Sequence, residues 1–153
     1  MLATEFLHGQ GLGNQLFCYV TTRMLAHRHG YDFGIKGLKS AGDSRVNQKG
    51  FYFMDFDYGK EVPDDLERYD EYRHALKTDE WIRTDLRLTD KTLLNIPDNR
   101  IIYGVMQSED YFYDRLDLVK EWLKVKEEYD LSLIHISEPT RPLYISYAVF
   151  CLK

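Results

Sequence analysis

The residues best placed to do chemistry lie near the start of the chain, in His8-Gly9-Gln10-Gly11-Leu12-Gly13-Asn14-Gln15-Leu16-Phe17. Glycines at 9, 11 and 13 add little to a packed core. They suit a backbone that turns tightly or comes close to a ligand. A short apolar run, Met1 to Leu7, precedes them, and a helical pattern running to His29 follows. A strand, a Gly-rich turn and a helix start together form an anion site. The first helical N–H groups lack partners, and the helix dipole favours negative charge there. The chemistry this implies is a phosphate-facing loop. The same spacing also serves as a plain strand-to-helix turn. The Gly-x-Gly-x-x-Gly fingerprint of dinucleotide sites is met only in part. Gly9 and Gly11 fit it, but its third glycine falls on Asn14, or on Leu16 if the count starts at Gly11. Asp32 sits near the end of the next apolar segment. It keeps open a nucleotide-binding, Rossmann-like domain with that carboxylate on a ribose.

Other candidate groups have plainer readings. Ser108 lacks the nucleophile-elbow spacing, and it suits the N-cap of a following helix. Cys18 falls inside the predicted helix and reads as core. His27 and His29 stand two apart on that helix, on different faces, so they make no metal pair. His8 borders the Gly loop and reads as a hydrogen-bonded histidine at a strand end. Asp55 and Asp57 are spaced for one strand face, with no third ligand for a metal. The aromatic run Phe51 to Tyr58 suits a hydrophobic strand or plug over the sheet. Its other reading is a sugar-binding face of a non-catalytic carbohydrate-binding module.

The elements that must position these residues follow from periodicity. Met1 to His8 reads as a strand and Asn14 to His29 as a helix, with Gly30 as its C-terminal stop. Tyr31 to Ile35 reads as a second strand, which makes a βαβ unit with parallel pairing. Lys39 to Ser44 is a loop by composition. Pro63 to Lys77 reads as a helix whose Leu66, Tyr69, Arg73 and Leu76 share a face. Arg100 to Met106 is the clearest later strand. Gln107, Ser108 and Glu109 follow at its C-terminal edge, where open α/β sheets bind ligands. A helix from about Glu109 to Lys124 completes the pattern.

Gly11-Leu12-Gly13-Asn14-Gln15-Leu16-Phe17, with Tyr19, Arg23 and Ala26, resembles the N-terminus of the bacterial alpha-1,2-fucosyltransferases (glycosyltransferase family eleven). That family pattern is Gly-Gly-Leu-Gly-Asn-Gln-Met/Leu-Phe-x-Tyr-Ala. Gln10 replaces its first glycine and Val20 its alanine, and Cys18 occupies the variable position. Gly104-Val105-Met106-Gln107-Ser108-Glu109-Asp110-Tyr111-Phe112 is similar to a second family block, Gly-Tyr/Phe-Phe-Gln-Ser-Glu-Lys-Tyr-Phe. The resemblance implies an α/β fold, the N-terminal half of a two-domain GT-B-like glycosyltransferase with a parallel sheet and flanking helices. It implies inverting transfer of fucose from GDP-fucose to a galactoside-type hydroxyl. No cofactor and no essential metal are expected, and the partners are GDP-fucose and a glycan acceptor. Gly11, Gly13, Asn14, Gln15, Gln107, Ser108 and Glu109 would border the substrate cleft. The family's His-x-Arg-Arg-Gly-Asp block, whose arginine is expected to clamp the GDP phosphates, occurs nowhere in the chain. The catalytic residues therefore stay unassigned.

Residues 131–153 carry a different resemblance. Leu131 to Arg141 resembles a translated transposon-type sequencing adapter, and Ile145 to Leu152 the flow-cell adapter that follows it. Pro142-Leu143-Tyr144 fills the place of an index between them, in frame. The expectation is an incomplete N-terminal α/β domain over 1–130, joined to a non-native tail over 131–153. Without Glu138, Arg141 and Lys153 the net charge of −5 becomes −6. An acidic chain without a basic run argues against nucleic acid. Without Cys151, Cys18 stands alone, which fits a reducing, cytoplasmic location. No apolar stretch approaches the roughly 20 residues of a membrane span, and the first residues lack signal-peptide features. Peripheral membrane association of a parent enzyme stays compatible with this.

Overall fold

Leu2, Ala3 and Thr4 are almost fully buried, so the first strand, β1 (Leu2–Glu5), lies inside the sheet rather than at its edge. A computed structural model of the chain describes residues 1–7, 10–38, 54–71 and 89–127. The described residues form a four-stranded sheet in the order β2-β1-β4-β3, with every neighbouring pair parallel. β2 is Phe33–Lys36, β3 is Glu67–Asp70 and β4 is Arg100–Tyr103. The expected α/β class and the βαβ unit are both present. His8, Gly9, the predicted loop 39–44, the aromatic residues 51–53, the helical positions 72–77 and the tail 131–153 lie outside the described residues.

The helix α1 (Leu12–His29) joins β1 to β2. It ends where expected. Gly30 takes the left-handed conformation at φ 69°, and the caps on Ala26 and His27 carbonyls close the last turn. Its buried residues, Gln15, Cys18 to Thr22 and Met24 to Ala26, surround much of its circumference. Such a helix must be covered on two sides. The sheet covers one. The other is covered by the segment after β4, where Phe17 meets Phe112 at 6.0 Å and the Arg23 guanidinium lies 4.5 Å from the Trp122 ring centre. Tyr19, Phe6, Tyr111 and Phe112 are the largest fully buried side chains, each contributing roughly 1.5–3 kcal/mol by burial.

Three expectations need correction. Residues 67–70 of the predicted helix Pro63–Lys77 form strand β3 instead. Asp64 and Asp65 make a turn, and Lys36 Nζ donates to Asp64 Oδ1 at 2.7 Å. Backbone pairing with β4 outweighs the helical preference of a short polar segment. The predicted helix from Glu109 is broken into 3-10 turns at Glu109–Tyr111 and Tyr113–Arg115, and regular helix α2 covers only Leu116–Trp122. Finally, 55–58 is not a strand. Met54 makes one isolated antiparallel bridge to Val125. Asp57 instead receives Arg23 at 3.1 Å and the Gly59 amide at 2.9 Å. Phe56 stacks on Tyr19 at 4.5 Å and meets Tyr58 edge-on at 6.1 Å, so these rings serve as the predicted plug.

Candidate functional site at the ends of β1 and β4

β1 passes the chain to α1 and β2 on one side of the sheet, while β4 receives it beside β3 on the other. Outside the C-terminal ends of such adjacent strands an open sheet leaves a crevice. The two sequence blocks meet here. Gln107, after β4, donates through Nε2 to Asn14 Oδ1 in the first turn of α1. Cys18 Sγ donates to the Gly104 carbonyl at 3.4 Å, which ties the same helix to the exit of β4.

The turn after β1 is built from side-chain amides. Gln10 accepts from the Leu7 amide at 3.3 Å through Oε1 and donates to Cys18 Sγ at 3.5 Å. Gln15, fully buried, donates to the Gln10 carbonyl at 3.1 Å. The Gln15 side chain therefore holds the turn. At α1's start no described side chain caps the helix, and no acidic residue lies in its first turn. A Cβ on Gly11 or Gly13 would meet nothing within 4 Å, and Gly11 has φ −63°. Neither glycine answers to crowding or backbone geometry inside the chain. Among the described residues they leave the positive helix end without a side-chain cap.

Ser108 is the predicted N-cap. Its Oγ accepts from the Asp110 amide at 3.3 Å and bonds to Thr89 Oγ1, and the residue is buried. Glu109 is exposed. Of the predicted cleft residues, Asn14 and Gln107 are thus joined, Gly11 and Gly13 flank Asn14, Gln15 and Ser108 support the loops, and Glu109 faces solvent.

The structure adds Glu71, Asp90 and Tyr111. Glu71 follows β3 and is 6% exposed. Its Oε2 accepts the Met106 amide at 2.8 Å, and its Oε1 accepts the Tyr111 hydroxyl at 2.9 Å. Tyr111 in turn accepts the Asp90 amide at 2.7 Å. Tyr69 donates to Asp90 Oδ2 at 2.6 Å. Met106 stands at φ 48°, a strained position for a side-chain residue, immediately before Gln107. Glu71 therefore holds the backbone that presents Gln107. Two isolated acids and a tyrosine carry no spacing signal, so the sequence offered no route to this group.

Burial raises the Glu71 carboxyl above its ordinary 4.5, despite the bonds from Met106 and Tyr111. A raised folded value means that folding favours the protonated acid. The associated stability is full below 4.5 and is lost as pH rises through the folded value. The free-energy difference between the native chain and Glu71→Gln, followed by denaturant unfolding, should therefore shift against the native chain as pH rises from about 4 to neutrality. A pH-independent difference would contradict this. Burial also pushes the Cys18 thiol up to about 12. The native chain should resist iodoacetamide at neutral pH and react only once unfolded.

Asp32 requires a correction. It precedes β2, and its carbonyl accepts the Leu2 amide at 2.8 Å. It therefore stands at the N-terminal end of the parallel sheet, opposite the Gly turn, with its carboxylate paired to Lys60 at 2.8 Å. A ribose held over the turn cannot reach it, which removes the main support for the dinucleotide reading. His27 packs edge-on to Trp122 at 6.0 Å, and His29 Nε2 bonds the Leu94 carbonyl at 2.9 Å.

The described residues thus form an all-parallel α/β sheet whose β1 and β4 ends bring Asn14 and Gln107 together. No protein-family model, curated protein or solved structure matches the chain. No helix among the described residues is long and apolar enough to cross a membrane.

Proposed function

We propose that residues 1–130 are the N-terminal half of a GT-B-like alpha-1,2-fucosyltransferase that moves fucose from GDP-fucose to a galactoside hydroxyl. The observation that carries the reading is the Gln107–Asn14 bond. It joins two blocks 93 residues apart, each similar to a block of that family, at the sheet edge where ligands bind. The start of α1, which no described side chain caps, supports it as well, since charge develops on a diphosphate leaving group during transfer. In this reading, Asn14 and the turn amides face donor or acceptor oxygens. The phosphate-clamping arginine belongs to the family's His-x-Arg-Arg-Gly-Asp block, which does not occur in residues 1–153.

The 153-residue chain is then inactive on its own. Incubation with radiolabelled GDP-fucose and a panel of galactosides should give no labelled product. A full-length parent enzyme should give one, without added metal. Transfer by the present chain would overturn its reading as an incomplete enzyme. A parent enzyme that leaves GDP-fucose untouched would overturn the activity itself.

A further inference from the structure

The opposite face of the same strand ends carries a second group of polar side chains. All four strands end on a polar residue: Glu5 in β1, Lys36 in β2, Asp70 in β3 and Tyr103 in β4. Glu5 is in register with Lys36, and Asp70 with Tyr103. Thr4 is in register with Ile102, one step before Glu5 and Tyr103, so the four form one row across the sheet. Residues in register share a face. This row lies on the face away from α1, because Cys18 of α1 approaches the Thr4 side chain, which points the other way.

Parallel sheets ordinarily bury both faces under apolar side chains. This row is polar and only partly covered. The side chains of Lys36, Arg68 and Asp70 are 38%, 59% and 21% exposed. It is also held in place. Tyr103 donates its hydroxyl to Glu5 Oε2, and that bond raises the phenol pKa and keeps it a donor. The Arg68 guanidinium lies 3.9 Å from the Tyr103 ring centre and pairs with Asp70 at 2.7 Å. Glu5 Oε1 accepts no hydrogen bond among the described residues. Meanwhile the loop after β4 leans to the α1 side, where Glu71 and Cys18 hold it.

We propose that this strand-end row is a sugar-binding subsite, in which Glu5 accepts a hydroxyl of a neutral pyranoside and the Arg68–Tyr103 stack bounds its ring. The mixed charge selects the ligand class. Glu5 and Asp70 repel a free phosphate, while Arg68 and Lys36 disfavour a cation. A neutral polyol supplies the donors that this carboxylate oxygen does not find among the described residues. The choice of a galactoside as probe rests on the proposed transferase reading. The site itself rests on the row.

The test is a titration of the isotope-labelled 153-residue chain with methyl β-galactoside, followed by amide chemical shifts. Shifts should centre on Glu5, Phe6, Arg68 and Tyr103. Glu5→Gln and Tyr103→Phe should each weaken binding about tenfold, the scale of one hydrogen bond to a charged group. Asp32→Asn, at the opposite end of the sheet, should leave it unchanged. Thermal melts of both row variants establish that they fold, and a melt lost in one leaves the other to decide. Absence of shifts up to the solubility of the sugar would overturn the proposal, as would shifts confined to Asn14 and Gln107. Binding at the row together with an inactive parent enzyme would refute the transferase and leave the subsite standing.

Discussion

Gly104→Val should destabilise the chain by about 3 kcal/mol or more, the range for overpacking that also disturbs a buried, hydrogen-bonded polar group. A Cβ at Gly104 would collide with the Glu71 carboxylate and stand 2.7 Å from the Glu71 Cβ. Glu71 cannot withdraw without releasing the Met106 amide and the Tyr111 hydroxyl, both buried bonds. Either release leaves polar groups unsatisfied at about 1–3 kcal/mol each. A double-mutant cycle checks this account. Combined with Glu71→Ala, the valine should cost far less than it does alone, because its main obstacle is gone. Additive costs in urea unfolding would show that the glycine answers to something else. Since Gly104 opens the second family-like block, its requirement is structural first. It lets Glu71 reach the loop that carries Gln107.

On the proposed transferase reading, Asn14→Ala and Gln107→Ala should have their largest effect on chemistry. In a full-length parent enzyme each should lower kcat/KM roughly a hundredfold, the usual loss when a polar group that positions or stabilises the reacting atoms is removed. In the isolated chain each should change stability by no more than about 1 kcal/mol, because the lost contact is a single, partly exposed hydrogen bond. The double variant should be little worse than either single one, since the two side chains act as a bonded pair. Steady-state kinetics of the three variants beside their unfolding curves separates the two effects. Full activity in Asn14→Ala would remove this residue from the cleft.

Local signals explain which parts of this fold were legible. The β1-α1-β2 unit could be read because its strands are short apolar runs and Gly30 is the αL stop such a helix needs. The helix begins two residues before the predicted Asn14, at Leu12, because Gly11 already accepts the first backbone bond, from Gln15. β3 was hidden. Glu67-Arg68-Tyr69-Asp70 shows no apolar alternation and takes its conformation from pairing with β4. The helix predicted over 109–124 fails in its first half because Ser108 and the 3-10 turns claim the local amides before a regular helix can start. The meeting of Asn14 with Gln107 was legible through motif and strand-end position. Glu71, Asp90, Glu5 and Tyr103 were not, because strand register and burial, rather than sequence spacing, bring them together.

The most direct measurement on the central claim is the sequence of an independent clone of the parent gene, read beyond the codon for Asp130. The transferase reading predicts that the frame leaves the adapter-like residues behind and continues into a strand ending in His-x-Arg-Arg-Gly-Asp. A frame that runs unchanged into Leu131 to Lys153, or continues without that arginine block, would contradict it and leave the Asn14–Gln107 edge without a donor half to face.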